Sequence, residues 1–456
     1  MPLIIPANSA SASGGFEVAN SVRYNNGSSD YLSRTQSASP TSATKGTFSV
    51  WLKRCLLGVD QYIYTVFQDG NNRMQMNMMD SDHLKIIQKV SASTTISLIT
   101  NRVFRDVSAF YHICIAIDTT QGTASNRIKM YINGVQETSF STETYPAQNQ
   151  DAFFTKGTAV SFGAYNSESN YTSGYFSEAV MIDGQQLAPE DNFIEFDEDS
   201  GICKPIDVSG LTFGTNGFYL DFEDSAALGD DVSGNGNDFT VNNLTAIDQT
   251  TDTPTNNFCT WNAIAAPYSA PTLSEGNTKV TNNAANWQGA IGTFGLASGK
   301  WYWEARFDNT TNTYNHGVID ESVNFAAVNP MNATGYTGFY NADGGEIKKD
   351  ATDTTADYGT FGTNDIIGIA LNMDDKQISI YKNGSSHVSN FALSTTSNLV
   401  FPCTAYYTGG ICSYNFGNAP YTISSGNADG NSRGNFEYLP PEGYFALCTA
   451  NLAEFG

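Results

Sequence analysis

The sequence is poor in charge, and poorest in positive charge. Only 15% of its 456 residues are charged, and 22 Lys and Arg stand against 46 Asp and Glu, for a formal net charge of −24. A chain this acidic repels phosphate backbones, and no local basic cluster offsets the repulsion, so no nucleic-acid partner is expected. The same charge opposes binding to anionic membrane surfaces. The acidic residues are scattered, and such a distribution mainly favours solubility.

Long apolar runs are also missing. No stretch approaches the roughly 18 apolar residues of a membrane-spanning helix, so membrane insertion is not expected. The opening residues, MPLIIPANSASASGG, have no basic region, and their apolar run is only Leu3 to Ile5. That pattern does not fit a secretion signal. We therefore predict assembly in a cytoplasm, with residues 1–15 as a flexible N-terminal arm.

Cysteine is sparse and has no pairing pattern. The seven cysteines are an odd number, widely spaced, and no CxxC pair occurs. Zinc sites and redox motifs need closely spaced pairs, and disulfide frameworks need an even, regular set. Most of these cysteines sit among apolar residues, as Cys114 does in HICIAID. The pattern predicts buried free thiols.

What the sequence does have is a series of short segments with alternating polarity. Gly, Asn, Ser and Thr are plentiful, as in chains of short strands joined by tight turns. In RIKMYING, Ile128, Met130 and Ile132 fall on one strand face, and Asn133-Gly134 supplies a hairpin turn. Similar strands are predicted at 48–54, 62–68, 73–79, 84–90, 111–118, 300–307, 316–319, 336–341, 365–373, 377–384 and 401–407.

The pattern predicts an all-β chain with little helix. The best helix candidate is short, near 188–196, and is opened by Pro189-Glu190-Asp191. Stretches rich in Thr, Pro and Asn near 245–270 read as a linker. We predict a first domain over 16–245, a linker over 246–270, a second domain over 271–425, and a C-terminal segment over 426–456 that packs on the second domain.

Both halves resemble known β-sandwich families. FSVWLKR, FYHICIAIDTTQGTASNRIKMYINGVQ, FGAYNSESNYTSGYFSEAVMIDGQQLAPEDN and DVSGNGNDFTV together resemble laminin-G-like, concanavalin-A-like domains. GKWYWEARF, GYTGFYNADGGEIKKD, FGTNDIIGIALNMDDKQISIYKNG and FPCTAYYTGGICSYNFGNAPY resemble a SPRY domain, with Asn372 where that family commonly has Asp. The resemblance implies two tandem antiparallel β-sandwiches of the jelly-roll, concanavalin-A-like type.

Three further segments resemble virion proteins of tailed phages, in particular marine phages. They are SVRYNNGSSDYLSRT near the start, TPTNNFCTWN in the middle and LPPEGYFALCTANL near the end. Members of this loose group carry sandwich modules on tails, fibres or capsid surfaces. The resemblance implies a virion location and other virion proteins as partners. It also implies a host surface glycan as a potential ligand and a homo-oligomer, such as a trimer.

One acidic run tests the possibility of an enzyme, because the sandwich group also includes β-glucanases. Such enzymes place two carboxylates about 5–5.5 Å apart in one cleft, from alternate positions of a strand. EFDED offers Glu195, Asp197 and Asp199 at alternate positions, but Ser200 stands where the motif needs Glu. The run also follows the predicted short helix, so a solvated loop is favoured. No Ser-His-Asp pattern surrounds the four histidines, and no enzyme activity is expected.

Hard oxygen donors cluster in DDVSGNGND. Asp231, Asn235, Asn237 and Asp238 lie in a Gly-rich stretch that could wrap a calcium ion. A tight turn is the favoured interpretation, because such turns need Asn, Asp and Gly for left-handed backbone positions. No cofactor is expected otherwise.

Aromatic, Asn-rich loops are the ligand-binding candidates. Aromatic faces stack on sugar rings and amide side chains hydrogen-bond hydroxyls, although Tyr is also common in strands because it packs well. The candidate residues are Tyr165, Asn170 and Tyr171 in the first domain and Tyr314, His316, Tyr336 and Tyr340 in the second. By contrast, Met74, Met76 and Met78 are expected to fill a core or interface.

Three functions follow from these observations. The first is a phage virion structural protein, as a tail fibre, receptor-binding or capsid-decorating component that presents two lectin-like modules. The second is a free carbohydrate-binding module or adhesin. The third is a glycoside hydrolase that uses Glu195.

Overall fold

A computed structural model describes residues 15–36, 38–152, 154, 159–166, 169–198, 200–265, 269–309, 314–341, 344–353, 356–394 and 398–456. The predicted N-terminal arm, apart from Gly15, lies outside the described residues. The described chain divides into two compact units, one ending at Thr255 and the other spanning Asn256–Gly456. No helix in the described ranges is long and apolar enough to cross a membrane.

The first unit is built from eighteen strands. In chain order they are β1 (Ser21–Tyr24), β2 (Tyr31–Thr35), β3 (Lys45–Arg54), β4 (Gln61–Asp69), β5 (Asn72–Met78), β6 (His83–Val90), β7 (Ser93–Val103), β8 (Tyr111–Asp118), β9 (Ile128–Ile132), β10 (Val135–Glu137), β11 (Phe140–Thr144), β12 (Ala159–Phe162), β13 (Gly174–Asp183), β14 (Ile194–Phe196), β15 (Cys203–Pro205), β16 (Phe218–Leu220), β17 (Thr240–Asn242) and β18 (Gln249–Thr250).

These strands form two antiparallel sheets and a small hairpin. One sheet has the order β10-β9-β8-β3-β13-β1-β18, with β16 beside β13, and the other has the order β11-β7-β6-β5-β4-β12-β2-β17. One continuous core draws residues from both sheets, including Ile115 of β8 and Met76 of β5. Burial of such apolar side chains contributes about 1.5–3 kcal/mol each. The pairing of β14 with β15 lies outside both sheets.

The second unit contains fourteen strands and the single α-helix of the described residues. They are β19 (Thr272–Ser274), β20 (Lys279–Thr281), β21 (Trp287–Ile291), β22 (Lys300–Phe307), β23 (Tyr314–Asp320), β24 (Tyr336–Tyr340), β25 (Glu346–Lys349), β26 (Thr352–Asp353), β27 (Ile366–Asn372), β28 (Gln377–Lys382), β29 (Ser385–Ala392), β30 (Val400–Tyr407), β31 (Ile411–Asn415), β32 (Phe445–Ala446) and α1 (Thr449–Phe455).

Two sheets again enclose a core. One has the order β19-β20-β31-β22-β27-β28-β29 and the other β21-β30-β23-β24-β25-β26. The C-terminal residues pack on this unit, because β32 pairs with β22 in parallel. Leu447 and Leu452 join the core between the sheets. The prediction of an all-β chain with two antiparallel sandwiches is confirmed.

Local sequence explains the hairpins of both units. Ile128, Met130 and Ile132 are buried, whereas Lys129 and Tyr131 are half-buried, as the alternation predicts. Asn133 and Gly134 follow with φ of 48° and 78°. These left-handed values define a tight two-residue turn whose twist matches the strands that it joins.

Two sequence predictions need correction. Most of the predicted linker, 246–270, belongs to the two units, because β18 pairs with β1 in the first unit and Trp261 is buried in the second core. Residues near 188–196 do not form a helix. Instead the Pro189 carbonyl accepts backbone hydrogen bonds from Phe193 and Ile194, and the chain turns into β14. Tertiary pairing therefore outweighs the local helix-start signal.

Candidate functional site

A group of half-buried tyrosines lies on the first unit where β4 meets the segment that follows β12. Tyr165 lies 5.0 Å from the Tyr62 ring and 5.8 Å from the Phe67 ring, measured between centroids. Partial burial, with the nearby Asp60 carboxylate, raises the pKa of Tyr62. The Tyr62 hydroxyl is therefore a neutral donor at physiological pH.

Asn170 and Tyr171 join the same surface. The Asn170 carbonyl accepts a hydrogen bond from the Tyr62 amide at 3.2 Å. The Tyr171 ring lies 5.9 Å from that of Tyr31 on β2. Asn170 itself is exposed, with a left-handed φ of 52° that the Asn side chain tolerates. The structure thus brings all three first-domain candidates together in what we call the tyrosine surface: Tyr31, Tyr62, Phe67, Tyr165, Asn170 and Tyr171.

Two second-domain candidates face the main core between the two sheets. Tyr314 and His316 are 0% and 1% exposed. The Tyr414 hydroxyl lies 2.9 Å from Nδ1 of His316. Burial lowers the pKa of His316 to about 3, so this ring is neutral at pH 7. The assignment of Tyr314 and His316 as ligand-binding residues is wrong, because both lie on the inward face of β23.

The alternate positions of the same strands point the other way. Asn315 on β23 is opposite Tyr340 on β24, on the sheet face away from the main core. Tyr336 lies on that face too, within a small apolar cluster that also contains Ile319. Tyr340 is half-buried. The sequence predicted these strands, but the candidates chosen on β23, Tyr314 and His316, are the residues that face the core.

The same face carries two aromatic residues that the sequence reasoning missed. Trp287 on β21 is opposite Tyr407 on β30, and their ring centroids are 5.5 Å apart. Tyr407 is 42% exposed, which is high for a large aromatic side chain. The available signal was the end of the strand predicted over 401–407, where Tyr407 closes the AYY segment.

The side chains of the proposed calcium loop make hydrogen bonds to backbone groups of the turn and of Gly217 and Tyr219. The Asp231 carboxylate accepts bonds from three backbone amides at 2.8–3.0 Å. The Asn235 and Asn237 amides donate to the Gly217 carbonyl at 3.0 and 2.7 Å, and Asp238 accepts from the Asp231 amide at 3.0 Å. Within the described ranges, no group of three or more His, Cys, Asp or Glu is arranged to hold a metal ion. The geometry favours the turn, and calcium binding stays a prediction.

The acidic run is held by a single lysine. Lys204 Nζ lies 2.9 Å from the Asp197 carboxylate and 3.6 Å from that of Glu195. The hydrogen bond from Lys204 holds the pKa of Asp197 well below its usual range. Glu195 is the exposed residue of β14, which pairs with β15, and Asp199 lies outside the described residues. Both described carboxylates therefore form surface ion pairs.

Buried polar pairs in the first unit are a second feature that sequence reasoning did not find. The Ser49 hydroxyl is 2.8 Å from Nε2 of His112. Burial lowers the pKa of His112 to about 3. Both residues are at most 2% exposed. A catalytic serine must reach its substrate, so this shielded pair reads as structural.

Comparison with protein families agrees with these two units. Residues 26–190 match the family model described as the concanavalin A-like lectin/glucanases superfamily. Residues 300–419 match the SPRY domain model.

Individual relatives are distant. One curated relative is the "Probable ATP-dependent RNA helicase ddx1" of Dictyostelium discoideum, 29% identical over 143 residues, which are 30% of this chain and 17% of that protein. The chain therefore spans less than a fifth of that relative's length. Among solved structures, the SPRY domain of human HERC1 is 19% identical with a TM-score of 0.26, covering 30% of this chain and 87% of that one.

A heptameric SAP-like pentraxin from Limulus polyphemus is also similar, 17% identical with a TM-score of 0.28, over 38% of this chain and 80% of the other. The two family matches, placed on the two sandwiches described above, support one conclusion: the chain carries a concanavalin A-like domain followed by a SPRY domain.

Proposed function

We propose that this chain is a structural protein of a tailed-phage virion that binds a host surface or another virion protein through its β-sandwich modules. The observation that carries the binding role is the tyrosine surface. Half-buried tyrosines are well suited to binding, because each ring offers a rigid apolar face and a hydroxyl at low entropic cost. Tyr31 of β2 contacts Tyr171, and Tyr62 and Phe67 of β4 contact Tyr165, so rings from two strands meet rings of the segment after β12.

The virion location is supported by the segments that resemble phage proteins. TPTNNFCTWN and LPPEGYFALCTANL are far apart in the chain but pair with each other. Phe258 and Cys448 form an antiparallel bridge. The Asn257 amide donates to the Thr449 hydroxyl at 3.0 Å, and the Thr449 amide donates to the Asn257 carbonyl at 2.9 Å. Both segments lie outside residues 300–419, so the resemblance describes a structural unit beyond the SPRY match.

Mass spectrometry of purified particles tests the location. We expect peptides of this chain at a stoichiometry of several copies per virion, and its position as a tail fibre, receptor-binding or capsid-decorating component would come from a low-resolution particle map. Absence of the chain from purified particles would overturn the virion proposal and favour a free carbohydrate-binding module or adhesin.

A glycan array tests the binding role of the first domain. The double substitution Tyr165→Ala and Tyr171→Ala removes two rings of the tyrosine surface, and we expect at least a tenfold loss of signal for any glycan bound there. Tyr145→Ala is the matched control, because Tyr145 follows β11 at the opposite end of the same sheet. A loss that is equal in both variants contradicts the assignment.

We propose no catalytic role. If the chain were a glycoside hydrolase acting through Glu195, Glu195→Gln would abolish activity on a polysaccharide panel. The contact of Glu195 with Lys204 supports an ion-pairing role. A homo-oligomer, such as a trimer, is part of the proposal, and analytical ultracentrifugation measures it.

A further inference from the structure

The outward face of the sheet β21-β30-β23-β24-β25 is organised in rows of side chains. Strand register places residues that share a row directly opposite one another. The first row is Trp287 and Tyr407. The next runs across the sheet through residues from all five strands: Gly289, Ala405, Asn315, Tyr340 and Glu346.

The following row is formed mostly of small residues. It contains Gly317 and Gly338 at its centre, with Cys403 and Ile291 on one side and Lys348 on the other. Gly and Ala at four neighbouring positions, Gly289, Ala405, Gly317 and Gly338, add no bulky side chain of their own to this face, and the Tyr336 side chain reaches over Gly338.

Three aromatic rings and a lysine border these positions. The ring centroid of Trp287 lies 5.5 Å from that of Tyr407, and the two ring planes are inclined at 47°. Its centroid lies 6.4 Å from that of Tyr340, with the planes at 40°. Lys348 Nζ lies 4.6 Å from the centroid of Tyr340. Lys348 is also ion-paired with Asp353, so its charge is balanced. We call Trp287, Tyr407 and Tyr340 the aromatic rim.

Two buried polar side chains on this face have no partner in the described part of the chain. The Tyr336 side chain extends along the sheet to Gly338, where its hydroxyl oxygen occupies space that a Cβ at position 338 would need. Asn315 extends from the next strand. Both residues are 0% exposed. The Tyr336 hydroxyl and both polar atoms of the Asn315 amide make no hydrogen bond to any described residue.

Buried polar groups without a hydrogen-bond partner lower the stability of the fold. A buried donor or acceptor without a partner costs about 1–3 kcal/mol, and the great majority of buried polar groups are satisfied. Three unpartnered atoms belong to Asn315 and Tyr336, which share this sheet face with the aromatic rim and the Gly and Ala positions. The unpartnered Asn315 amide and Tyr336 hydroxyl could regain hydrogen bonds from a polar group of a bound ligand.

We propose that this outward face of the second domain is a binding site for a neutral sugar ring. The aromatic rim stacks on the ring face, and one hydroxyl hydrogen-bonds to Asn315 and Tyr336. A sugar hydroxyl both donates and accepts, which matches an amide that offers both functions beside a phenol. The net charge of −24 and the paired Lys348 disfavour an anionic ligand.

The inference deepens the proposed function, because it names a second surface and a ligand class for a protein that we propose to be a binding protein. Asn315 and Tyr336 are shielded from solvent, so side chains around them must move when the sugar binds. That movement changes the surroundings of Trp287. The other four tryptophans, Trp51, Trp261, Trp301 and Trp303, are buried, so Trp287 is the natural reporter.

Tryptophan fluorescence tests the site in the full chain. We expect a saturable change when glucose, galactose, mannose or N-acetylglucosamine, or short oligosaccharides of them, are titrated. Trp287→Phe should remove the signal. Tyr336→Phe, which deletes only the unpartnered hydroxyl, should weaken the affinity at least fivefold and leave the melting temperature unchanged or higher.

The controls separate this inference from the proposed function. Tyr165→Ala with Tyr171→Ala should leave the Trp287 response intact, because those residues belong to the other domain. No response to any of these sugars, or a response that Tyr336→Phe leaves unchanged, overturns the sugar site. Glycan-array binding that depends on the tyrosine surface, or detection in particles, would then still support the proposed function. Saturation by a peptide but by no sugar also overturns the inference.

Discussion

At the residue scale, Glu178 combines burial with an unusual backbone position. It occupies a β-bulge on β13, where the register with β3 shifts between Ser177 and Val180, and its φ is 49°. The Tyr219 hydroxyl donates to its carboxylate at 2.7 Å. Burial is the main cause that raises the pKa of Glu178 to about 8, and Asp221 adds to it. A carboxyl group in this setting is protonated at neutral pH.

The raised pKa of Glu178 predicts a pH-dependent stability of the first unit. Because the folded pKa of about 8 exceeds the reference value of 4.5, the contribution is fully present below pH 4.5 and is lost as pH rises through 8. Glu178→Gln keeps a neutral side chain, so it should flatten this dependence. Scanning calorimetry from pH 5 to 9 measures it, with exposed Glu190→Gln as the control. An unchanged slope in Glu178→Gln would contradict the assignment.

At the element scale, β22 anchors a C-terminal stretch of the second unit through Glu304. This carboxylate accepts hydrogen bonds from the backbone amides of Glu437 and Tyr438 at 3.0 and 2.8 Å. It also accepts one from the Asn415 amide at 3.2 Å. Burial raises the pKa of Glu304 to about 7, although these donors oppose the shift. The Glu304 side chain therefore holds Glu437 and Tyr438, which belong to no strand, against the sheet.

Removing this anchor should free the segment before it unfolds the unit. Glu304→Leu leaves the two amides buried without an acceptor, at a cost of about 2–4 kcal/mol in the free energy of unfolding. We expect hydrogen exchange at Glu437 and Tyr438 to accelerate at least 30-fold, measured by mass spectrometry. Glu442→Gln, an exposed residue nearby, is the control. Equal protection in both variants would refute the anchoring role.

At the scale of the whole molecule, each unit has its own core. The first unit is closed by an ion pair from the stretch that sequence reasoning assigned to the linker. Lys53 Nζ lies 2.8 Å from the Asp252 carboxylate, and both side chains are 0% exposed. A buried charge that loses its counter-ion is strongly destabilising.

Asp252→Ala should therefore destabilise one unit and spare the other. We expect a loss of about 3–5 kcal/mol in the free energy of unfolding of the first unit, because Lys53 is left charged and buried. Calorimetry should show one transition lowered and the other unchanged. Asp80→Ala, an exposed residue of the same unit, should change neither transition. A shift of both transitions would contradict separate cores.

The sequence by itself determined the strands and the fold class. Alternation at Met74, Met76 and Met78 predicts one buried face, and all three lie in the core, because side-chain direction along a strand has a period of two. The Asn-Gly turn after β9 was likewise evident, since few other pairs adopt two left-handed positions in succession.

Only the tertiary structure decided which face of each strand points away from the core and where the units divide. Tyr314 and Asn315 are neighbours in sequence, yet one faces the core and the other the outward surface, and only the pairing of β23 with β24 and β30 sets that parity. Asp252 lies in a stretch with linker composition, but its partner is 199 residues away in sequence. Contacts at that separation depend on how the sheets assemble, and local sequence does not encode them.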